Sequence, residues 1–302
     1  MNVNNMKIED RESWFVLGNG LEMTSKKITF SPNLFLQQIE NEISVFDLAA
    51  AGAKGFREWT MLEPVSRFCR LEIVSVNETP TLGYDSLNRA WLLGTLLVLR
   101  MYLRSNFIAC SSYSWNKIAG VQKRKTDEKS SLEPFKGNLL DYHRKTIHLK
   151  DISKKMIEES DVEWINKYYE NANLLAAQNA NFRFSLETIN SWRYSNDNRS
   201  AVAIIWAAIE SIIGVSSEIV FRLSLNVASV LESRGHGRLE KFKHIKKLYG
   251  LRSKIVHGGD LKKEDAEFAI EESFILLRDL LTFMIERNKV ISEEDFEAAV
   301  FL

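Results

Sequence analysis

An arginine and a histidine stand five residues apart near the end of the chain, in the run Leu248-Tyr-Gly-Leu-Arg-Ser-Lys-Ile-Val-His-Gly-Gly-Asp260. Histidine gives and takes a proton near neutral pH, and the planar guanidinium of arginine can hold two phosphoryl oxygens at once. RNA carries its own nucleophile, the 2′-hydroxyl, so Arg252 and His257 together could cleave RNA without a metal. Such a reaction leaves a 2′,3′-cyclic phosphate and a 5′-hydroxyl. The hydroxyl of Ser253 could orient the substrate.

The spacing limits what one copy of this motif can do. Five residues on an α-helix correspond to about 140° of rotation after a full turn, so Arg252 and His257 do not sit side by side on an ideal helix. A two-fold dimer that packs these helices together would combine both side chains of both chains in one cleft, and isologous dimers are the commonest homo-oligomers. We therefore expect a homodimer to complete the site.

The motif lies in a basic stretch of a neutral chain. The protein has 40 Lys or Arg and 40 Asp or Glu residues, so it has no overall field that would attract nucleic acid. Residues 233–257 contain three histidines, one acid (Glu240) and eight basic residues: Arg234, Arg238, Lys241, Lys243, Lys246, Lys247, Arg252 and Lys254. Charge counts alone favour a solvated helix face paired with acids on neighbouring helices. The functional interpretation is an RNA-binding surface made by Lys243, Lys246, Lys247 and Lys254.

Helical patterns dominate from about Asp161 to the C-terminus and must position the motif. All four prolines lie at or before position 134, and apolar residues recur at helical spacing over 202–213, 219–231 and 270–284. A helix from about Leu239 to His257 would carry the motif and stop at the glycine pair, and Asp260 is the expected N-cap of the next helix. We predict a bundle of four to five helices over residues 160–302.

The first half of the chain, residues 1–150, has a mixed pattern. Strands are predicted at 14–17, 27–30 and 69–76, with the first two forming a hairpin around Gly18-Asn-Gly20. A helix is predicted at 87–103 and an exposed loop at 121–136. The predicted fold class is therefore mainly α, with a mixed α+β N-terminal region before an all-helical bundle.

Composition excludes several classes of protein. Cys69 and Cys110 are too few for a disulfide framework or a zinc knuckle, which indicates a reducing compartment. Residues 1–10 lack the apolar core of a signal peptide, and the most apolar run, 87–110, is interrupted by arginines. We expect a cytoplasmic protein without a membrane span. His143 and His148 lack a clear third ligand, so no metal site and no cofactor are predicted.

Three segments taken together resemble the ApeA-like branch of the HEPN superfamily. They are Asn198-Arg-Ser-Ala-Val-Ala-Ile-Ile-Trp-Ala-Ala-Ile-Glu-Ser-Ile-Ile-Gly214, Phe221-Arg-Leu-Ser-Leu-Asn-Val-Ala228 and Tyr249-Gly-Leu-Arg-Ser-Lys-Ile-Val-His-Gly-Gly259. Members of that branch are helical bundles bearing an Arg, four to six intervening residues and a His, and the resemblance covers roughly residues 160–290. It implies a metal-independent ribonuclease that dimerises to bring two Arg-His motifs together. Such domains serve in bacterial defence against phage or as toxins, so a regulatory or antitoxin partner is expected.

The resemblance also implies roles for individual residues. Arg252 and His257 become the catalytic motif, and Ser253 occupies the polar position that follows the arginine. Candidate supporting residues, in the two preceding helices and at the start of the motif, are Glu210, Arg222 and Tyr249. For Glu210 a structural role, on the helix surface or as a partner of Arg222, stays equally open.

Two alternatives remain beside this interpretation. The residues by themselves favour a structural role, with His257 as a C-terminal cap against the helix dipole and Arg252 paired with an acid of the bundle; the resemblance favours catalysis. At the level of function, the alternative is a non-catalytic helical module that binds RNA, a nucleotide or a protein partner through the basic stretch. Residues 1–150 carry no motif tied to chemistry, and we interpret them as a regulatory or sensing region.

Overall fold

The computed structural model describes residues 13–51, 69–77, 85–101, 106–124, 137–139, 156–215, 218–259 and 262–301. The chain divides into two compact units, Met1–Tyr142 with Ser153–Lys167, and His143–Ile152 with Tyr168–Leu302. The described part of the first unit combines a sheet with helices, and every regular element in the described part of the second is a helix. The predicted fold class is confirmed.

An antiparallel sheet organises the first unit. Its strands in the described residues are β1 (Ser13–Asn19), β2 (Lys27–Ser31), β3 (Leu34–Gln38), β4 (Leu71–Val76), β5 (Asn106–Ser111) and β6 (Gly137–Leu139), in the order β2-β3-β4-β1-β5-β6. The three predicted strands are present, but the predicted hairpin is wrong, because β2 turns back onto β3 while β1 pairs with β4 and β5. The burial patterns explain the difference. Consecutive buried residues in β1 suit an interior strand, whereas β2, which has no buried residue, suits the sheet edge.

Three helices accompany this sheet in the described residues of the first unit. They are α1 (Val45–Ala50), α2 (Asp85–Met101) and α3 (Trp115–Ile118). The predicted helix at 87–103 is confirmed up to Met101 as α2, which packs against β4 and β1 through an almost continuously buried apolar stretch; residues 102–103 lie outside the described residues. The predicted loop at 121–136 begins instead with a 3₁₀ turn, Val121–Lys123, whose first side chain is fully buried; residues 125–136 lie outside the described residues.

A buried glutamate ties α3 to the sheet. Glu72 on β4 is fully buried and accepts hydrogen bonds from Ser114 Oγ at 2.7 Å, from the Trp115 backbone N–H at 2.6 Å and from Asn116 Nδ2 at 3.3 Å. Gln37 Nε2 on β3 is a fourth donor. Burial raises the pKa of the Glu72 carboxyl, and the four donors act in the opposite direction. This network fixes the start of α3 on the sheet.

The second unit is a bundle of longer helices. It contains the part of α4 (Glu159–Gln178) from Tyr168 onward, then α5 (Ala180–Ser191), a 3₁₀ turn (Trp192–Tyr194), α6 (Asn198–Ile213), α7 (Ile219–Leu231), α8 (His236–Val256), α9 (Lys263–Arg287) and α10 (Glu293–Phe301). The predicted count of four to five helices is therefore too low even for the described residues. Its fully buried aromatic core includes Trp192, Trp206 and Phe274. None of the helices in the described residues is both long and apolar enough to cross a membrane.

The helix that carries the Arg-His motif is α8. It starts three residues before the predicted Leu239 and ends at Val256, with His257 as its C-cap. The next helix, α9, starts at Lys263 with Lys262 as N-cap. The prediction of Asp260 as that N-cap is wrong, and Asp260 itself lies outside the described residues.

Candidate functional site

Two opposite faces of α8 carry the residues of the motif. The buried face holds Ile245, Leu248, Tyr249 and Ile255, and α8 packs through it against α6, α7 and α9. Counting about 100° per residue, Arg252 falls in the middle of this buried face. The exposed lysines of α8 lie on the other side, at positions 243, 246, 247 and 254, and His257 follows them at the exposed end. Arg252 and His257 thus leave α8 in different directions.

The Arg252 guanidinium is paired inside the bundle. Its Nη2 lies 3.1 Å from Oε1 and 3.5 Å from Oε2 of Glu210 on α6, and the two side chains are only 21% and 29% exposed. The guanidinium carbon also lies 5.2 Å from the centroid of the Tyr249 ring. Glu210 therefore compensates the charge of Arg252, and the alternative of Glu210 as a partner of Arg222 is not what the structure shows.

Tyr249 connects this ion pair to the apolar core. Its ring packs edge-on against Trp206 at 5.1 Å between centroids, and Trp206 Nε1 donates to Ser273 Oγ at 2.8 Å. Burial raises the pKa of Tyr249, and the negative charge of Glu210 raises it further, while Arg252 lowers it. Tyr249, Glu210 and Arg252 therefore form one polar cluster at the interface between α6 and α8.

His257 ends α8 in a Schellman motif. The Gly259 N–H donates to the Lys254 carbonyl at 2.8 Å and the Gly258 N–H to the Ile255 carbonyl at 3.4 Å, with Gly258 at φ +80°. The His257 N–H donates to the carbonyl of Ser253 at 3.1 Å, and the imidazole is exposed. The structure thus contains both features of the structural alternative, a histidine at the helix end and a paired arginine. An exposed imidazole is also free to meet a substrate.

The four lysines predicted to bind RNA differ in their surroundings. Lys243 pairs with Glu240 at 3.0 Å, and Lys247 Nζ lies 5.3 Å from the Phe268 ring centroid. Lys246 and Lys254 are exposed and make no ion pair with the described residues. Lys246, Lys247 and Lys254 therefore carry outward positive charge that no acid among the described residues pairs with.

The remaining basic residues of the stretch bond to the protein itself. The contacts are Arg234 to the Val300 carbonyl, Arg238 to the Glu232 and Ala299 carbonyls, Lys241 to Asp279, and His244 to Glu272. This part of the stretch matches the structural interpretation, in which acids and carbonyls of neighbouring helices offset the basic charge.

Arg222 lies at a different place in the unit. Its Nη2 is 3.0 Å from Oε1 of Glu293 on α10, and it lines a polar pocket of about 270 Å³ together with Asn179, Asn181 and Asn226. The Glu210 carboxylate makes its ion pair with Arg252 instead. The structure therefore separates Arg222 from the cluster of Glu210, Tyr249 and Arg252.

One residue near the end of α8 has no signal in the local sequence. Arg199, the second residue of α6, has its Nη2 3.3 Å from the position that a Cβ on Gly258 would occupy. It precedes His257 by 58 positions in the chain, so no local spacing links the two. Only the packing of α6 on α8 reveals the contact.

Comparisons with protein-family models, with curated proteins and with solved structures find no match. In the described residues, no group of three or more His, Cys, Asp or Glu side chains is arranged to hold a metal ion. His143 and His148 lie outside the described residues.

Proposed function

We propose that this protein is a metal-independent endoribonuclease of the HEPN type that acts as a homodimer. The observation that carries the proposal is the exposed imidazole of His257 at the end of a helix face bearing the unpaired charges of Lys246 and Lys254. Phosphodiester cleavage needs a group that moves protons next to positive charge that binds the backbone, and this end of α8 offers both.

The proposed reaction is an attack within the RNA strand. A histidine takes the proton of the 2′-hydroxyl, the O2′–P bond forms, and the P–O5′ bond breaks while the 5′-oxygen receives a proton. Because the base and the acid act on opposite sides of the phosphorus, His257 of each of two chains could serve one of these roles. Arg252 supplies positive charge for the phosphoryl oxygens, and Ser253 orients the strand. Tyr249 and Glu210 hold the Arg252 side chain in place.

The cellular setting follows the same proposal. A ribonuclease of this type would work in the cytoplasm in defence against phage or as a toxin, with a regulatory or antitoxin partner that restrains it. Residues 1–150, which carry none of the motif residues, are the proposed regulatory or sensing region.

A second candidate function is a non-catalytic module that binds RNA. The observation in its favour is that Glu210 already compensates Arg252 within the chain, and that His257 occupies a helix-capping position. Lys246 and Lys254 would then bind phosphates without any cleavage.

Purified full-length protein, incubated with total RNA in EDTA, separates the two functions. Wild type should yield fragments with 2′,3′-cyclic phosphate and 5′-hydroxyl ends, and His257→Ala and Arg252→Ala should each lower the rate at least about 100-fold. His236→Ala is the matched control, because His236 is an exposed histidine at the opposite end of α8, roughly 30 Å away, and should retain full activity. RNA binding by wild type without cleavage would refute the nuclease and favour the binding module.

A further inference from the structure

Arg199 gives one chain an arginine at the end of α8 where His257 lies. A Cβ built on Gly258 would lie 3.3 Å from Arg199 Nη2, and Gly258 is the residue directly after His257. Since Gly258 also has φ +80°, a side chain at this position would strain the backbone and crowd the guanidinium. Gly258 thus leaves room for the Arg199 guanidinium at the end of α8.

Arg199 and Glu210, the partner of Arg252, stand at different points along α6. The Arg199 guanidinium approaches Gly258, just beyond the end of α8, whereas Trp206 and Glu210, further along α6, contact Tyr249 and Arg252 within α8. Arg199 and Glu210 are eleven positions apart, which corresponds to about 16 Å along the helix axis. The Arg252 guanidinium is therefore held near Glu210, whereas the Arg199 guanidinium lies at the level where α8 ends.

Among the described residues, no carboxylate forms an ion pair with the Arg199 side chain. Its guanidinium makes no hydrogen bond or ion pair with the described residues, and the side chain is exposed. Asp197 is the N-cap of α6 and accepts the Ser200 N–H at 2.8 Å; this bond, more than the charge of Arg199, lowers the pKa of Asp197. The nearby carboxylate therefore serves the helix terminus, and the fork of Arg199 faces solvent.

Backbone groups at this place are already used. The N–H groups of His257, Gly258 and Gly259 all donate to carbonyls within the last turn of α8. A phosphate that approaches His257 must therefore be held by side chains. Among the described residues of α6 and α8, Arg199 and the exposed Lys254 are cationic side chains at this end.

We propose that Arg199 binds a phosphate of the RNA backbone next to His257, so that one chain presents an Arg-His pair made from two helices. This inference rests on the proposed function, because it assigns Arg199 to the RNA site of that activity. Arg252 then contributes positive charge from its cluster with Glu210 and Tyr249. Arg199 contacts the phosphoryl oxygens directly through its planar guanidinium.

The test measures binding of a single-stranded 2′-O-methyl RNA oligonucleotide, which lacks the nucleophile and cannot be cleaved, at several salt concentrations. Arg199→Ala should weaken binding about tenfold and reduce the slope of log affinity against log salt by about 0.7, the value for one single-strand phosphate contact. Arg199→Lys keeps the charge and should restore the slope but only part of the affinity. Arg183→Ala is the control. Arg183 is an exposed arginine on α5. Its neighbour Asn181 contacts Ser211, which is near the end of α6 away from Arg199.

The outcomes separate this inference from the proposed function. Weaker binding by Arg199→Ala, in a protein that cleaves no RNA, supports Arg199 as a phosphate contact and refutes the nuclease. Cleavage by wild type, with affinity and salt slope of Arg199→Ala equal to those of Arg183→Ala, overturns the inference and leaves the nuclease standing. Failure of wild type to bind the oligonucleotide refutes both. Circular dichroism and thermal melting establish that each variant is folded.

Discussion

Replacing Glu210 with glutamine should uncouple Arg252 from the bundle. The carboxylate lies 3.1 Å from the guanidinium, and both side chains are mostly shielded from water. Two unit charges at that distance interact by about 1 kcal/mol in water and about 5 kcal/mol at an effective dielectric constant of 20. The desolvation of both groups offsets part of this energy, so we expect a coupling free energy of about 2 kcal/mol.

A double-mutant cycle isolates this coupling. The four proteins are wild type, Glu210→Gln, Arg252→Met and the double variant, and the coupling is the deviation from additivity in their free energies of unfolding. Since the chain has two compact units that need not unfold together, the free energy should be measured by hydrogen exchange of α8 peptides in native conditions. Methionine at position 252 keeps the packing of the arginine stem while removing the charge.

Tyr249 supplies an independent readout of the same contact. The charge of Glu210 raises the pKa of Tyr249, so Glu210→Gln should lower that pKa, although burial will still hold it above its ordinary value. A raised tyrosine pKa stabilises the fold below pH about 10, and this contribution is lost as the pH rises through the folded-state pKa. A coupling within about 0.5 kcal/mol of zero, together with an unchanged Tyr249 titration, would refute the reasoning about this cluster.

Two further predictions concern stability. Glu72→Gln should lower the free energy of unfolding of the first unit by about 1–3 kcal/mol, because an amide cannot accept the hydrogen bonds of four donors. Urea titration measures this free energy, and an unchanged unfolding midpoint would contradict the prediction. Asp295→Asn should cost α10 about 1 kcal/mol near neutral pH, because Asp295 caps it together with Ser292. Hydrogen bonds from Lys289 and Ser292 lower the pKa of Asp295 from 3.8 to about 2, so this difference should vanish as the pH falls from about 4 to about 2; a pH-independent difference would argue against the contact.

The pattern of apolar residues was sufficient to locate most elements. Strongly periodic stretches became α2, α6, α7 and α9, and the apolar segment at 69–76 became β4. The failed hairpin shows the limit of such patterns, because adjacency in the chain does not decide which strands pair. An interior strand such as β1 needs a partner on each side, and those partners come from residues 71–76 and 106–111.

The candidate site was only partly predictable for the same reason. The spacing of Arg252 and His257 correctly indicated divergent directions on the helix. The apolar positions Ile245, Leu248 and Ile255 already imply that residue 252 faces the bundle, but they do not identify Glu210 as the partner. The contact between Arg199 and Gly258 depends on how two helices cross, which no local pattern encodes.

A protein with zero net charge can still bind a polyanion if its acidic side chains are paired with basic side chains inside the protein. Glu210 offsets Arg252, Glu240 offsets Lys243 and Glu272 offsets His244, and these pairs contribute little outward field. The positive charges left without such a partner in the described part of this region include Lys246 and Lys254 on α8 and Arg199 on α6. His257 lies at the same end of the helix pair as Arg199 and Lys254. We therefore expect the uncompensated charge near His257 to contribute more to the binding of a phosphate than Arg252, whose charge Glu210 offsets.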